Sequence, residues 1–249
     1  MFKDKKGLIL HLVLLGLLMG IGIVFLLGGF FNFGGDVKGQ WQLDFLKNNY
    51  LEAQKELLKD DVIIKQVGLE TARELAANGG YLPGEESNCG KEGDAQVWFK
   101  EGKSCFQGVK DAVAELAKKK LDQKMPGYGY SDINFNGPFL SGKGKKGEIG
   151  TELATYTFDT DFSVYLGYSF DDYRKIQEEG LRLVSACHGE EKLKECLDKT
   201  KFDYWSYGSC GSEKFPDSNS KIIKFCVTSP GLYYIGNELA SYQVAFDFS

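Results

Sequence analysis

The chain has few of the groups on which most enzyme sites are built. It holds only two histidines, His11 and His188, and its six cysteines never fall in a C-x-x-C pair. A Ser-His-Asp or Cys-His site needs a histidine base, and beyond residue 35 only His188 is present, next to Cys187. No G-x-S-x-G, G-x-x-x-x-G-K-[ST] or full EF-hand order occurs, so the usual signatures of a nucleophile elbow, a phosphate loop and a calcium loop are missing. A basic excess is missing too. The net charge is −5 with a pI near 5.3, whereas a nucleic-acid binder needs cations to replace phosphate counterions. With five prolines and 31 glycines that keep no period, collagen-like and low-complexity readings also fall away.

The most informative absence is of charge. Residues 7–35 contain no Asp, Glu, Lys or Arg over 29 positions. As a helix this run would be about 43 Å long, enough to cross a hydrocarbon core of about 30 Å with some tilt. A removable secretory signal has a shorter apolar core and ends in a small-residue site, yet the first alanine here is Ala53. The expectation is a single transmembrane helix over 7–35, with the lipid bilayer as its first partner. Lys3, Lys5 and Lys6 outweigh Asp4 in the leader, residues 1–6, which favours a cytoplasmic amino terminus and an extracellular remainder. The leader's +2 leaves −7 of the chain's total of −5 on residues 36–249. Within the span, Gly16 and Gly20 form a G-x-x-x-G pattern that lets two helices approach closely.

All six cysteines (Cys89, Cys105, Cys187, Cys196, Cys210 and Cys226) follow the span, an even number on the side expected to be oxidising. They fall into neighbouring pairs, which suggests sequential bridges, although six cysteines allow 15 connectivities. Zinc held by Cys187, His188 and Cys196 is the rival reading, and its ligand spacing is not the usual one. No metal and no cofactor is expected.

Residues 41–77 read as an amphipathic helix. Leu43, Leu46, Tyr50, Ala53, Leu57, Ile64 and Val67 make one apolar stripe, widened by Leu51, Leu58, Val62, Leu69, Ala72 and Ala76. Asp60 breaks the stripe, Gly68 is expected to bend or divide the helix, and Asn78-Gly79-Gly80 ends it. So broad a face calls for a partner, most simply the sheet of the same domain. Residues 81–104 read as loop apart from Val97-Trp98-Phe99, 109–121 as helix, and 125–150 as loop or hairpin. Strands are expected within 155–168, at 202–207, 221–228 and 241–248, and a helix over 170–187 with Tyr173, Ile176, Leu181 and Val184 inward. The fold class is therefore α+β: a transmembrane helix (7–35), a juxtamembrane amphipathic helix (36–80), and a disulfide-stabilised ectodomain of antiparallel sheet and helices (81–249).

The lysine-ended leader, the span, the helix closing on Gly79-Gly80-Tyr81 and the Trp98-Phe99 pair before Gly102 resemble uncharacterised single-span surface proteins of small-genome archaea. That resemblance bears on topology only. Lys6-Gly7 followed by Leu8-Ile9 is similar to the processing site of archaeal type IV prepilins, where a peptidase cuts after the glycine and the apolar helix packs in a filament core. It implies cleavage between Gly7 and Leu8. The fifth residue beyond that point is Leu12, where bacterial pilins carry glutamate.

Acidic pairs such as Asp159 and Asp161 would suit a carboxylate-based hydrolase, but acids are plentiful and most such pairs are solvated faces. Aromatic residues make up 14% of the chain. Trp98, Tyr204, Trp205, Tyr207, Tyr233 and Tyr234 are the candidates for an interaction surface, since aromatics with polar tips suit recognition. The expected role is structural or interactive, through self-association or other surface proteins, without catalysis and without nucleic acid.

Overall fold

The computed structural model describes residues 40–151, 154–215 and 220–249, together with Met19. The expected span over 7–35 with Gly16 and Gly20, and the leader junction at Gly7 and Leu8, lie outside the described residues. Among the described residues no helix is long and apolar enough to cross a membrane. The chain divides into two compact units, Met1–Leu51 and Glu52–Ser249.

In the first unit the described stretch is the opening of helix α1 (Gln40–Ala77). Asn49 donates from Nδ2 to the Phe45 carbonyl at 2.6 Å, and Leu43, Leu46, Tyr50 and Leu51 are exposed. These side chains were expected to be covered, and here they are not.

In the second unit the remainder of α1 buries Ala53, Ile64, Val67, Ala72, Leu75 and Ala76, the positions one helical face requires. Leu58 and Val62, placed on the widened flank, stand exposed, so the covered stripe is narrower than the apolar one. The helix is not divided at Gly68 but runs unbroken through it. Its missing side chain instead lets Leu166 and Leu140 close on the backbone: a Cβ there would lie 2.6 Å from Leu166 Cδ2 and 3.2 Å from Leu140 Cδ2. Gly79 (φ 60°) and Gly80 (φ 85°) end α1 in left-handed conformations, and the Gly80 amide donates to Leu75 O at 2.7 Å.

The main sheet has the order β1-β2-β14-β11-β9-β10, with β3 added beside β2. Its strands are β1 (Lys91–Glu92), β2 (Ala95–Lys100), β3 (Lys103–Ser104), β9 (Trp205–Ser209), β10 (Ser212–Glu213), β11 (Ile222–Thr228) and β14 (Ser241–Asp247). Residues 81–104 are mainly loop and turn, as expected, and the excepted Val97-Trp98-Phe99 lies in β2, which the two-residue strands β1 and β3 flank. The pairing is antiparallel except that β14 and β2 run parallel, Val244 opposite Gln96. Alternation along β14 puts Tyr242, Val244, Phe246 and Phe248 into the main core, while Ala245 joins Ala95 and Val97 on the opposite face.

Helix α2 (Lys110–Lys124) packs against β4 (Ser131–Asn136), and helix α3 (Asp171–Cys187) packs against β14. In α3, Tyr173, Ile176 and Val184 are buried and Leu181 is half-buried. Of the two alternatives expected for 125–150, loop or hairpin, the hairpin is found. There β4 and β5 (Phe139–Lys143) form a hairpin that β8 (Phe162–Tyr165) extends, and β6 (Gly147–Thr151) pairs with β7 (Ala154–Phe158). Helix α4 (Leu193–Thr200) and the small hairpin of β12 (Tyr234–Ile235) and β13 (Glu238–Leu239) were not foreseen. Both are too short to establish a hydrophobic period.

The three bridges join sequential neighbours. Cys89–Cys105 clips the turn before β1 to the segment after β3, Cys187–Cys196 ties the end of α3 to α4, and Cys210–Cys226 ties the β9–β10 turn to β11. With Cys187 and Cys196 bonded to each other, their reading as zinc ligands does not hold.

Candidate functional site

A groove of about 400 Å³ with both apolar and polar walls lies where the amino-terminal ends of α2 and α3 meet. It is of a size that takes small molecules, for which pockets of ~300–1,000 Å³ are usual. Its floor is the outer end of an aromatic stack. Buried Trp98 donates from Nε1 to Gly79 O at 2.9 Å and lies flat on Phe106, with centroids 4.0 Å apart. Phe106 stacks on Tyr173, Tyr173 on Phe170, and Phe170 meets Phe135 edge-to-face at 4.6 Å. Phe135 and Phe170 are only half-buried and form the accessible part of the floor.

Polar groups ring this floor. Gln177 Nε2 donates to Ser104 Oγ at 3.0 Å and to Phe106 O at 3.2 Å, which fixes its orientation and leaves its carbonyl oxygen free of those bonds. Asp171 accepts from Ser169 Oγ at 2.9 Å, and Arg174 donates to Glu178 at 2.8 Å. Lys110, the first residue of α2, is exposed and has no ion pair among the described residues. Neither N-cap residue, Val109 or Phe170, makes a side-chain cap, although Ser169 Oγ accepts from the Asp171 amide at 3.2 Å at the start of α3.

Behind the groove sits a buried carboxylate, Asp172, with no solvent exposure. It accepts hydrogen bonds from Ser229 Oγ, from Tyr242 Oη at 3.0 Å and from the Gly231 amide at 3.1 Å. Burial pushes its pKa up, and the hydrogen bonds from Ser229, Tyr242 and Gly231 oppose that shift. The same Ser229 Oγ accepts from the Tyr233 amide at 2.9 Å. Chemically this is a clamp: it pins the turn after β11 to α3, with each carboxylate oxygen engaged. Beyond the clamp, Leu232 (φ 55°) is 70% exposed and Tyr234 52% exposed.

The aromatics singled out from the sequence do not gather on one surface. Trp98 and Trp205 are core residues, each 1% exposed, so they belong to no interaction face: Trp98 is the root of the stack, and Trp205 meets Phe225 edge-to-face. Tyr204 and Tyr207 are half-buried struts whose hydroxyls are taken by Glu179 and Asp198. Tyr233 packs on Tyr168, and Tyr234 alone of the six is exposed. Of the acids, Asp161 accepts from the Gly144 amide at 3.1 Å and locks a hairpin, while Asp159 is exposed. His188 is an exposed residue at the end of α3. Among the described residues no group of three His, Cys, Asp or Glu side chains is arranged to hold a metal ion.

Phe106, Lys110, Phe135, Phe170, Arg174 and Gln177 were not foreseen as neighbours, since they come from three separate segments. One local signal was present. A lysine opening a helix that lacks a capping side chain sits at the wrong end of the helix dipole.

In comparisons with protein-family models, curated proteins and solved structures, nothing matches the chain.

Proposed function

We propose that the chain is a single-pass, membrane-anchored surface protein whose disulfide-stapled α+β part lies outside the membrane and recognises or assembles with other surface material, without catalysis. The observation that carries this reading is the joining of an uncharged 29-residue run at 7–35 to a part in which all six cysteines are paired. A span of that length needs a bilayer, and bridges of that kind persist where the environment is oxidising. The groove between α2 and α3 supports recognition over catalysis, because the titratable groups lining it are Lys110, Asp171, Tyr173 and Arg174, with no histidine base and no pair of facing carboxylates. Carbonate extraction of native membranes, followed by protease treatment of intact cells, tests it. The protein is expected to stay with the membrane and to lose its carboxyl-terminal part to the protease. Release into the supernatant, or full protection in intact cells, overturns the reading.

A second reading, as a pilin-like or pseudopilin-like subunit, draws on Leu43, Leu46 and Tyr50, which lie on one side of α1 by its 100° per-residue turn and are exposed. An apolar helix face of this sort suits packing among copies. Determining the amino terminus of protein from its native membrane separates the two: a start at Leu8 favours processing and assembly, and an intact Met1 removes it.

A further inference from the structure

We propose that the groove between α2 and α3 binds an acidic sugar, a hexuronic-acid ring within a glycan, with the ring lying on Phe135 and Phe170 and its carboxylate held by Lys110. This deepens the recognition role given above and rests on it, but not on how the chain is anchored.

The floor selects for a ring with an apolar face. Phe135 and Phe170 are held at a fixed angle by an aromatic stack rooted in the buried Trp98, so the surface they offer is rigid before any ligand arrives. Rigid, partly exposed aromatic area costs little entropy on binding. A purely apolar ligand would leave the rim unanswered, for Gln107, Asp171 and Gln177 supply both donors and acceptors around the floor. Sugar hydroxyls donate and accept at once, and the C–H face of a pyranose supplies the apolar contact.

Charge selects for an acid. A cation in the first turn of a helix opposes the macrodipole, and α2 carries Lys110 there, followed by Asp111, with no side-chain cap and with no ion pair to Lys110 among the described residues. Positive potential from the ammonium and from the uncapped amides of α2 therefore meets at the groove wall. Arg174 adds to it but is shared with Glu178, and Asp171 opposes it. With Arg174 paired to Glu178, Lys110 is the one cation of the wall without an ion pair among the described residues, and Asp171 and Asp111 beside it limit its field, which suits a single carboxylate and is weak for a dianionic phosphate.

A second cavity of about 520 Å³ continues the groove past Lys110, sharing Gln107, Gly108 and Lys110 with it. Its wall carries Glu85, Glu86 and Asp111, which repel a second acid. The neighbouring ring is therefore neutral, so the fitting ligand alternates acidic and neutral sugars.

Titration calorimetry on the full chain in detergent tests this with three probes: a hyaluronan tetrasaccharide, which alternates the two kinds of ring, neutral chitotetraose, and a short peptide with a free carboxyl terminus. Saturable one-to-one binding of the hyaluronan fragment is expected, at least ten-fold tighter than chitotetraose and without peptide binding. Lys110→Gln should weaken it about ten-fold with no fall in melting temperature, and Phe135→Leu should weaken it with the fold retained. Absence of saturable hyaluronan binding, equal binding of chitotetraose, preference for the peptide, or indifference to Lys110→Gln each overturns the proposal. Failure here leaves the membrane test untouched, and failure there leaves this binding measurable.

Discussion

At the scale of the residue, the informative side chains are polar groups placed where apolar ones were expected. Asp60 stood out in the sequence as a break in the α1 stripe. In the fold it is 4% exposed, its Oδ2 has no hydrogen-bond partner, and the hydroxyl of Tyr130 nearby is likewise unpartnered. Burial raises the Asp60 pKa, and the neighbouring Tyr128 hydroxyl only partly opposes this. Tyr128 in turn is pushed up to about 12 by its own burial and by the Asp60 charge. An acid whose folded pKa lies above its unfolded value, about 3.9, is better tolerated protonated. Its penalty is absent below that pH, grows as pH rises toward the folded value, and is constant above it. Asp60→Asn is therefore expected to stabilise the protein by about 1 kcal/mol at pH 7, from the cost of an unsatisfied buried group, and to have little effect near pH 3.5. Urea unfolding of both forms at the two pH values checks this, and an equal difference at both would rule out titration of Asp60 as the cause. Lys110 shows the converse case: its anomaly was visible in sequence terms, but nothing local said that Phe135 and Phe170 would stand beside it.

At the scale of the element, the long periodic segments were legible and the short ones were not. Helix α1, helix α3 and strands β11 and β14 follow from their hydrophobic periods, because a dozen helical or seven strand positions repeat the same instruction. Helix α4 and the β12–β13 hairpin carry too few repeats, β2 was legible only at Val97-Trp98-Phe99, and the glycines of 125–150 left hairpin and loop undivided. Glycine is where local reading erred most. Gly68 looked like a weak point in its helix, yet it is a contact surface, and so is Gly180 in α3. At Gly180 a Cβ would run into the ring of Phe246, which is fully buried among Trp98, Trp205 and Phe225 and has no free direction to move. At Gly68 it would meet the flexible tips of Leu166 and Leu140. Alanine gains about 1 kcal/mol in helix propensity at either site, against overpacking of about 1–3 kcal/mol or more. Gly180→Ala is expected to destabilise by about 2 kcal/mol and Gly68→Ala by less than 1, by denaturant unfolding. The reverse order would mean that Phe246 has room to shift.

At the scale of the whole molecule, the three bridges are expected to supply a large share of the stability of the described part. The two that close 16-residue separations are each expected to stabilise by about 3 kcal/mol, and the nine-residue one by slightly less. Together, at about 8–9 kcal/mol, these fall within the roughly 5–15 kcal/mol that holds an ordinary domain folded. The unfolded but unreduced chain should show no reactive thiol and the reduced chain six, with a large fall in melting temperature on reduction. A melting temperature indifferent to reductant would place the stability in the core alone. From the sequence by itself came the α+β class, the uncharged run, the even cysteine count on one side of it, and the period of the main elements, because each is a matter of composition or of short-range repetition. Tertiary structure alone decided that β2 joins β14 in parallel, that Trp98 and Trp205 are core and not surface, and that the starts of α2 and α3 enclose a groove. Those outcomes depend on which distant segments meet, and the free energy of such meetings is set by shape and burial that no single segment encodes.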